Sequence, residues 1–332
     1  MKRSFIKTLV ATAALTAFGL AQAQTRTIKF ANQNVKGHPI VMGMEKFAEI
    51  VEAKSAGKLK VNVFPGGALG SDQSNLLSLQ DGTLEMASMN SSTFASIVKD
   101  FAIYDLPLLF GSAKEAQAVV DGPFGKSLHA KLEDKGLVGL GYYELGFRVL
   151  TNSKRPIMKV EDIAGLKLHV IPNPINVDWV GALGANPTPL PYPEVYAALE
   201  QKAIDGQDNP IATINSTKLF KVQKYLTLTN HQYNPQSVVI GKKFWESLSA
   251  DLKKIVQDAV TESSRYQREQ SRVQLDSGLY NLKEDGMQVT ELPPAEVVKL
   301  REKMWLVIAK HTGNLGGATV KTMMAELDKL RK

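Results

Sequence analysis

Few residues in this chain could do covalent or metal chemistry, and they are scattered. There is no cysteine, which removes disulfide scaffolds, thiolate zinc sites, iron–sulfur clusters and cysteine nucleophiles. The histidines are His38, His129, His169, His231 and His311, and no two stand four apart. The H-E-x-x-H pattern of a zinc hydrolase is absent, as are the G-x-S-x-G elbow and the G-x-x-x-x-G-K-[ST] phosphate loop. Gly139-Leu140-Gly141 follows a strand pattern but lacks the third glycine and the helix of a dinucleotide fingerprint. Gly66-Gly67-Ala68-Leu69-Gly70 is either an anion cradle or a plain strand-to-helix turn.

What remains is a polar set at turns and strand ends: Asn32, Gln33, Asn34, His38, Asp72, Asn90, Arg148, His169, Asn209, Tyr233 and Asn234. It holds no nucleophile–base pair. Taken singly, each residue suits a cap, a turn or the surface. Together they suit a cleft that hydrogen-bonds a small polar solute, so binding is expected rather than catalysis.

The elements that must hold these side chains alternate. Thr27 to Ala31 reads as a strand, and Ile40, Met44, Phe47, Ile50 and Val51 recur at helical spacing up to Gly57. Leu59 to Phe64 alternates with period two, Asp72 to Asp81 is helical with Leu76, Leu77 and Leu79 inward, and Leu84 to Met89 is a strand. This order argues for a parallel α/β sheet. Leu137 to Tyr143, Phe147 to Thr151 and Leu166 to Ile171 read as further strands. Pro193-Glu194 opens a helix with Val195, Tyr196, Leu199, Ala203 and Ile204 on its apolar face. Ser249 to Glu284 reads as one long spine helix, Met287 to Leu292 as a strand, and Pro294 onward as helix.

The length of 332 residues suits two domains, and 44% hydrophobic with 22% charged residues is an ordinary globular composition. No Gly/Ser- or Pro-rich linker divides the chain and no repeat of domain scale occurs, so the chain is expected to cross between domains more than once. Residues 1–23 read as a secretory signal: Lys2, Arg3 and Lys7, then the apolar run Leu9 to Leu20, then Ala21-Gln22-Ala23. That run is too short for a membrane span, which needs roughly 20 residues. Loss of the leader reduces the formal charge from +7 to +4, and no basic run supports a nucleic-acid partner.

The stretch from Gly165 to Pro210 carries a family signature. Gly165-Leu166-Lys167-Leu168-His169-Val170, Leu183-Gly184-Ala185-Asn186-Pro187-Thr188-Pro189, Glu194-Val195-Tyr196-Ala197-Ala198-Leu199 and Asp205-Gly206-Gln207-Asp208-Asn209-Pro210 follow in order. With Gly146-Phe147-Arg148, Pro65-Gly66-Gly67 and Thr229-Asn230-His231, the chain resembles the DctP-type solute-binding proteins of TRAP transporters. The resemblance covers essentially the whole chain after the leader. It implies a two-domain, type II-like periplasmic binding fold of α/β class, with crossing strands and a long domain-spanning helix. It places one domain at 24–146 plus 235–274 and the other at 147–234 plus 275–332. It implies a monomeric receptor in a Gram-negative periplasm, with no cofactor, no metal and no catalytic residue, delivering a solute to small and large membrane subunits.

The same resemblance implies ligand contacts from Arg148, Asn209 and Asn90, and a pocket drawn from Asn34, Asp72, Tyr192, Tyr233, Asn234 and Trp179, the last equally readable as core. Its most informative departure is His169, which stands where the family typically places an arginine for a carboxylate. Three readings stay open. Arg148 carries the charge while His169 donates one bond to an acid, the ligand is a neutral sugar or polyol, or a bound acid protonates His169. A sensor docking on a signalling receptor and a periplasmic enzyme with His169 as base, oriented by a group such as Asp208, are the rival functions.

Overall fold

A computed structural model describes residues 25–332, so the segment read as a leader lies outside the described residues. The strands are β1 (Arg26–Ala31), β2 (Leu59–Phe64), β3 (Met86–Asn90), β4 (Leu137–Asn152), β5 (Lys167–Val170), β6 (Asn186–Pro189), β7 (Gly206–Asn209), β8 (Tyr225–Gly241) and β9 (Gln288–Glu291). The helices are α1 (Pro39–Lys54), α2 (Asp72–Asp81), α3 (Ala113–Asp121), α4 (Pro123–Ala130), α5 (Pro174–Ala182), α6 (Val195–Glu200), α7 (Ile211–Ser216), α8 (Lys242–Glu246), α9 (Ala250–Glu284), α10 (Pro294–Thr312) and α11 (Gly317–Leu330). The sheet order is β2-β1-β3-β8-β4-β7-β5-β6, with β9 beside β8.

The sheet is mixed, which corrects the parallel expectation. Its flanks are parallel, β2-β1-β3 on one side and β7-β5-β6 on the other. Between them β4 and β8 run antiparallel and join the flanks. Glycine explains why β4 reads as two short pieces in the sequence. The β4–β8 register shifts between Gly139 and Gly141, between Glu144 and Gly146, and between Arg148 and Leu150. Each shift breaks the period of two, yet the strand continues from Leu137 to Asn152. Gly139 sits against the His129 ring of α4, while Gly141 sits against Val260 of α9.

Helix α9 spans both flanks as expected, starting at the Ser249 cap. Val256, Ala259 and Val260 pack with Ile28, Phe30 and Phe47, whereas Leu282 packs with Val149, Leu199 and Leu226. Three local readings need correction. Leu77 is 65% exposed, because α2 turns only Leu76 and Leu79 inward. Helix α6 ends at Glu200, so Ala203 and Ile204 follow it in a turn. The stretch after Pro294 is broken at Gly313–Gly316 into α10 and α11.

A Cβ at residue 139 would lie 2.2 Å from His129 Cγ, so Gly139→Ala is expected to destabilise the fold by about 1–3 kcal/mol. Gly181→Ala in α5, which meets nothing within 4 Å, serves as the control. Denaturant midpoints check this, and equal midpoints would show that α4 does not press on β4.

Candidate functional site

The site forms where strand ends from both flanks converge. A cavity of about 110 Å³ lies off the C-terminal ends of β3, β5 and β7 and the turn after β1. Ligands of open α/β sheets bind in that position. The volume holds several water-sized groups, hence a small solute. Among the expected residues, Asn34, Asp72, Asn90, Arg148, His169, Tyr192 and Asn209 line it.

One wall is built by turn chemistry. Asn32 Oδ1 accepts from the Asn34 backbone N–H at 2.7 Å, folding the chain back after β1. Asp72 opens α2, and its Oδ2 accepts from the Asn90 backbone N–H at 2.9 Å and from Gln33 Nε2 at 3.1 Å. Burial pushes the Asp72 carboxyl up to about 7, against the bonds from Asn90 and Thr93. Asn90 Oδ1 accepts from the Ser92 N–H at 3.1 Å and caps the following turn.

The opposite wall holds a buried charge. Arg148 on β4 is 2% exposed. Its Nε donates to Asp208 Oδ2 at 2.5 Å, and its Nη2 donates to Asp208 Oδ1 at 3.0 Å and to the Asp208 carbonyl. Its Nη1 donates to Asn234 Oδ1 at 2.9 Å and to Asn209 Oδ1 at 3.3 Å. Asp208 also accepts from His231 Nε2 at 3.1 Å. Burial alone would push the Asp208 carboxyl up; the Arg148 charge and the bonds from His231 and Arg148 hold it well below the usual carboxylate range. Asn209 is tied further to Gln207, whose Oε1 accepts from Asn209 Nδ2 at 2.6 Å.

His169 on β5 completes this wall. Its Nε2 stands 3.1 Å from the Leu190 carbonyl oxygen, while Nδ1 is buried without a partner. Burial pushes the ring down to about 4, with Asp208 and Arg148 acting in opposite directions. A carbonyl orients the ring, and Asp208 is committed to Arg148 and His231, so the geometry lacks the orienting acid that a His169 base would use.

Three expected residues lie outside the cavity lining. Trp179 is core, donating Nε1–H to Asn176 Oδ1 at 2.9 Å and packing 4.5 Å from the His231 ring. Tyr233 is 3% exposed, packs on Phe110 and Phe147, and donates its hydroxyl to Glu144. Asn234 stands behind Arg148. His38 caps α1 through Nδ1 and reaches Thr213 Oγ1 through Nε2 at 3.1 Å. The Gly66–Gly70 turn is no anion cradle: the Gly66 and Gly67 amides donate to the Asn34 and Asn32 carbonyls.

Sequence reasoning missed Ser92, Thr93, Asn173 and Gln236, which also line the cavity. Asn173 was findable as the cap before Pro174. Gln236 was not, because β8 carries polar residues buried on both faces and gives no alternating pattern. Among the described residues no group of His, Asp or Glu is placed to hold a metal ion.

A family model described as bacterial extracellular solute-binding protein, family 7 (DctP), matches residues 30–313. The chain is 34% identical over 277 residues to the 2,3-diketo-L-gulonate-binding periplasmic protein YiaO of Escherichia coli, covering 83% of this chain and 84% of that one. Among solved structures, it is similar to a TRAP periplasmic solute-binding protein of Ochrobactrum anthropi with its C-terminus bound in the ligand-binding pocket. That match has 52% identity and a TM-score of 0.83, over 93% of this chain and 97% of that one. It is also similar to the sugar acid binding protein DctPAm of Advenella mimigardefordensis in complex with galactonate, at 39% identity and a TM-score of 0.90, over 92% of this chain and 98% of that one. The cleft, the mixed sheet with its long helix and these matches agree: the chain belongs to the DctP family of TRAP transporter solute-binding proteins.

Proposed function

We propose that this chain is exported to the periplasm, closes over a small organic acid of the sugar-acid type, and delivers it to the small and large membrane subunits of a TRAP transporter. One observation carries the reading: the buried Arg148 guanidinium stands in the wall of a cavity that polar side chains from both flanks also line. Its longest bond, Nη1 to Asn209 at 3.3 Å, is the one a solute carboxylate would replace. Charge-assisted pairing of that kind contributes about 1.5–3 kcal/mol. The galactonate and diketogulonate bound by the relatives point to the same class. No helix among the described residues is long and apolar enough to cross a membrane. The protein acts as a monomer and binds without turnover.

The mechanism is domain closure, with the domains divided at 24–146 plus 235–274 and 147–234 plus 275–332. Both divisions fall at one place in the ladder: Gly146 pairs with Asn234 and Glu144 with Pro235, across a register shift. Gly146 has φ +113°, a backbone conformation that suits glycine there. The contacts that cross the division include His38 to Thr213 at 3.1 Å and Asn173 Nδ2 to Asp105 Oδ2 at 2.7 Å, with Tyr233 to Glu144 and Thr319 to Asp100 further from the cavity. They would hold the closed form, and a ligand that touches both walls favours that form by its differential affinity.

Isothermal titration against galactonate, succinate and galactose tests the function. Galactonate is expected to bind with release of solvent-exposed surface and a contraction seen by small-angle scattering. Absence of binding to all three would sink the receptor reading. Arg148→Gln leaves Asp208 buried and unpaired, at an expected cost of about 3–5 kcal/mol in stability. Adding Asp208→Asn is expected to recover most of that stability without recovering acid binding. Recovery of both in the double variant would show that Arg148 is structural only.

A further inference from the structure

We infer that His169 acts as a hydrogen-bond acceptor in the cavity and selects solutes by the hydroxyl groups they carry. The inference rests on the solute-receptor reading and concerns its specificity. It starts from the tautomer. A carbonyl oxygen can only accept, so the 3.1 Å contact to Leu190 fixes the proton on His169 Nε2. The ring is 2% exposed, and burial holds it neutral near neutral pH. Nδ1 is then a bare lone pair, buried and without a partner.

The His169 side chain lines the cavity. A buried acceptor left unmet costs about 1–3 kcal/mol, so it gains from a donor brought by the solute. A carboxylate brings no donor and a hydroxyl brings one. Arginine at residue 169 would offer only donors to the cavity. The histidine, in this tautomer, reverses the polarity of the position and leaves the acid to Arg148. The charged and titratable groups facing the ring are Asp208 and Arg148, already paired with each other.

The test compares galactonate with hexanoate, which has the same chain length and no hydroxyls, in wild type, His169→Leu and His169→Asn. Wild type is expected to prefer galactonate. His169→Leu is expected to weaken galactonate about tenfold and leave hexanoate unchanged, the loss of about one hydrogen bond. His169→Asn, which keeps an acceptor near the Nδ1 position, is expected to restore part of the preference. Imidazole nitrogen spectra are expected to show a protonated Nε2 and a bare Nδ1 from about pH 5 to about pH 8. A proton on Nδ1, or an equal weakening of both acids by His169→Leu, would overturn the inference. Failure of wild type to bind either acid would overturn the receptor reading, and the nitrogen spectrum would still decide the tautomer.

Discussion

The buried pairing of Arg148 with Asp208 is the constraint on which the site depends. Both side chains are nearly inaccessible to solvent, so each charge needs the other. Two parallel contacts to the carboxylate fix the plane of the guanidinium, and His231 and Asn234 hold the pair from behind. A guanidinium held in this way meets an incoming anion without a search through rotamers. The neighbouring carboxylate already offsets its charge, so an organic acid adds a further partner to a balanced pair. Such a site suits reversible capture and release.

Around that pair the fold divides the work. The parallel flanks bring strand ends and turn residues to the cavity, and the two long antiparallel strands connect the flanks. Arg148 lies on one of those long strands, two residues beyond Gly146 and its register shift. In the proposed function, the charge that would contact the solute is therefore placed beside the segment that would bend as the cleft opens. Binding and closure would then share one stretch of backbone, with α9 bridging two of the hydrophobic cores. The chemistry of the cavity is asymmetric. Donors are gathered at Arg148, while His169 presents an unmet acceptor, a pattern suited to a solute that carries both an acidic end and a hydroxyl.

Much of this was legible in the residues, for physical reasons. The long charged helix, the alternating Leu59–Phe64 and the Pro-initiated helix near Val195 obey local rules that tertiary contacts did not override. Arg148, Asn209, Asn90, Asp72 and Asn34 were found as polar residues at strand ends, where capping and ligand contact ask for the same side chains. The central pair of strands was not legible. β4 contains glycines that interrupt its period, and β8 buries Asn234, Gln236 and Ser237 in place of an alternating apolar face. Tyr233 reads as a site residue by its polarity and Trp179 reads equally as core; the polar atoms of both bond within the core. The role of His169 depends on a backbone carbonyl that is distant in sequence, and only the fold brings Leu190 to its ring.

The most direct measurement is a crystal structure of the protein with galactonate bound. The account requires the solute carboxylate on Arg148 Nη1, with Nε and Nη2 still bonded to Asp208. A carboxylate bound away from Arg148, or an Arg148 that leaves Asp208 to reach it, would contradict the account.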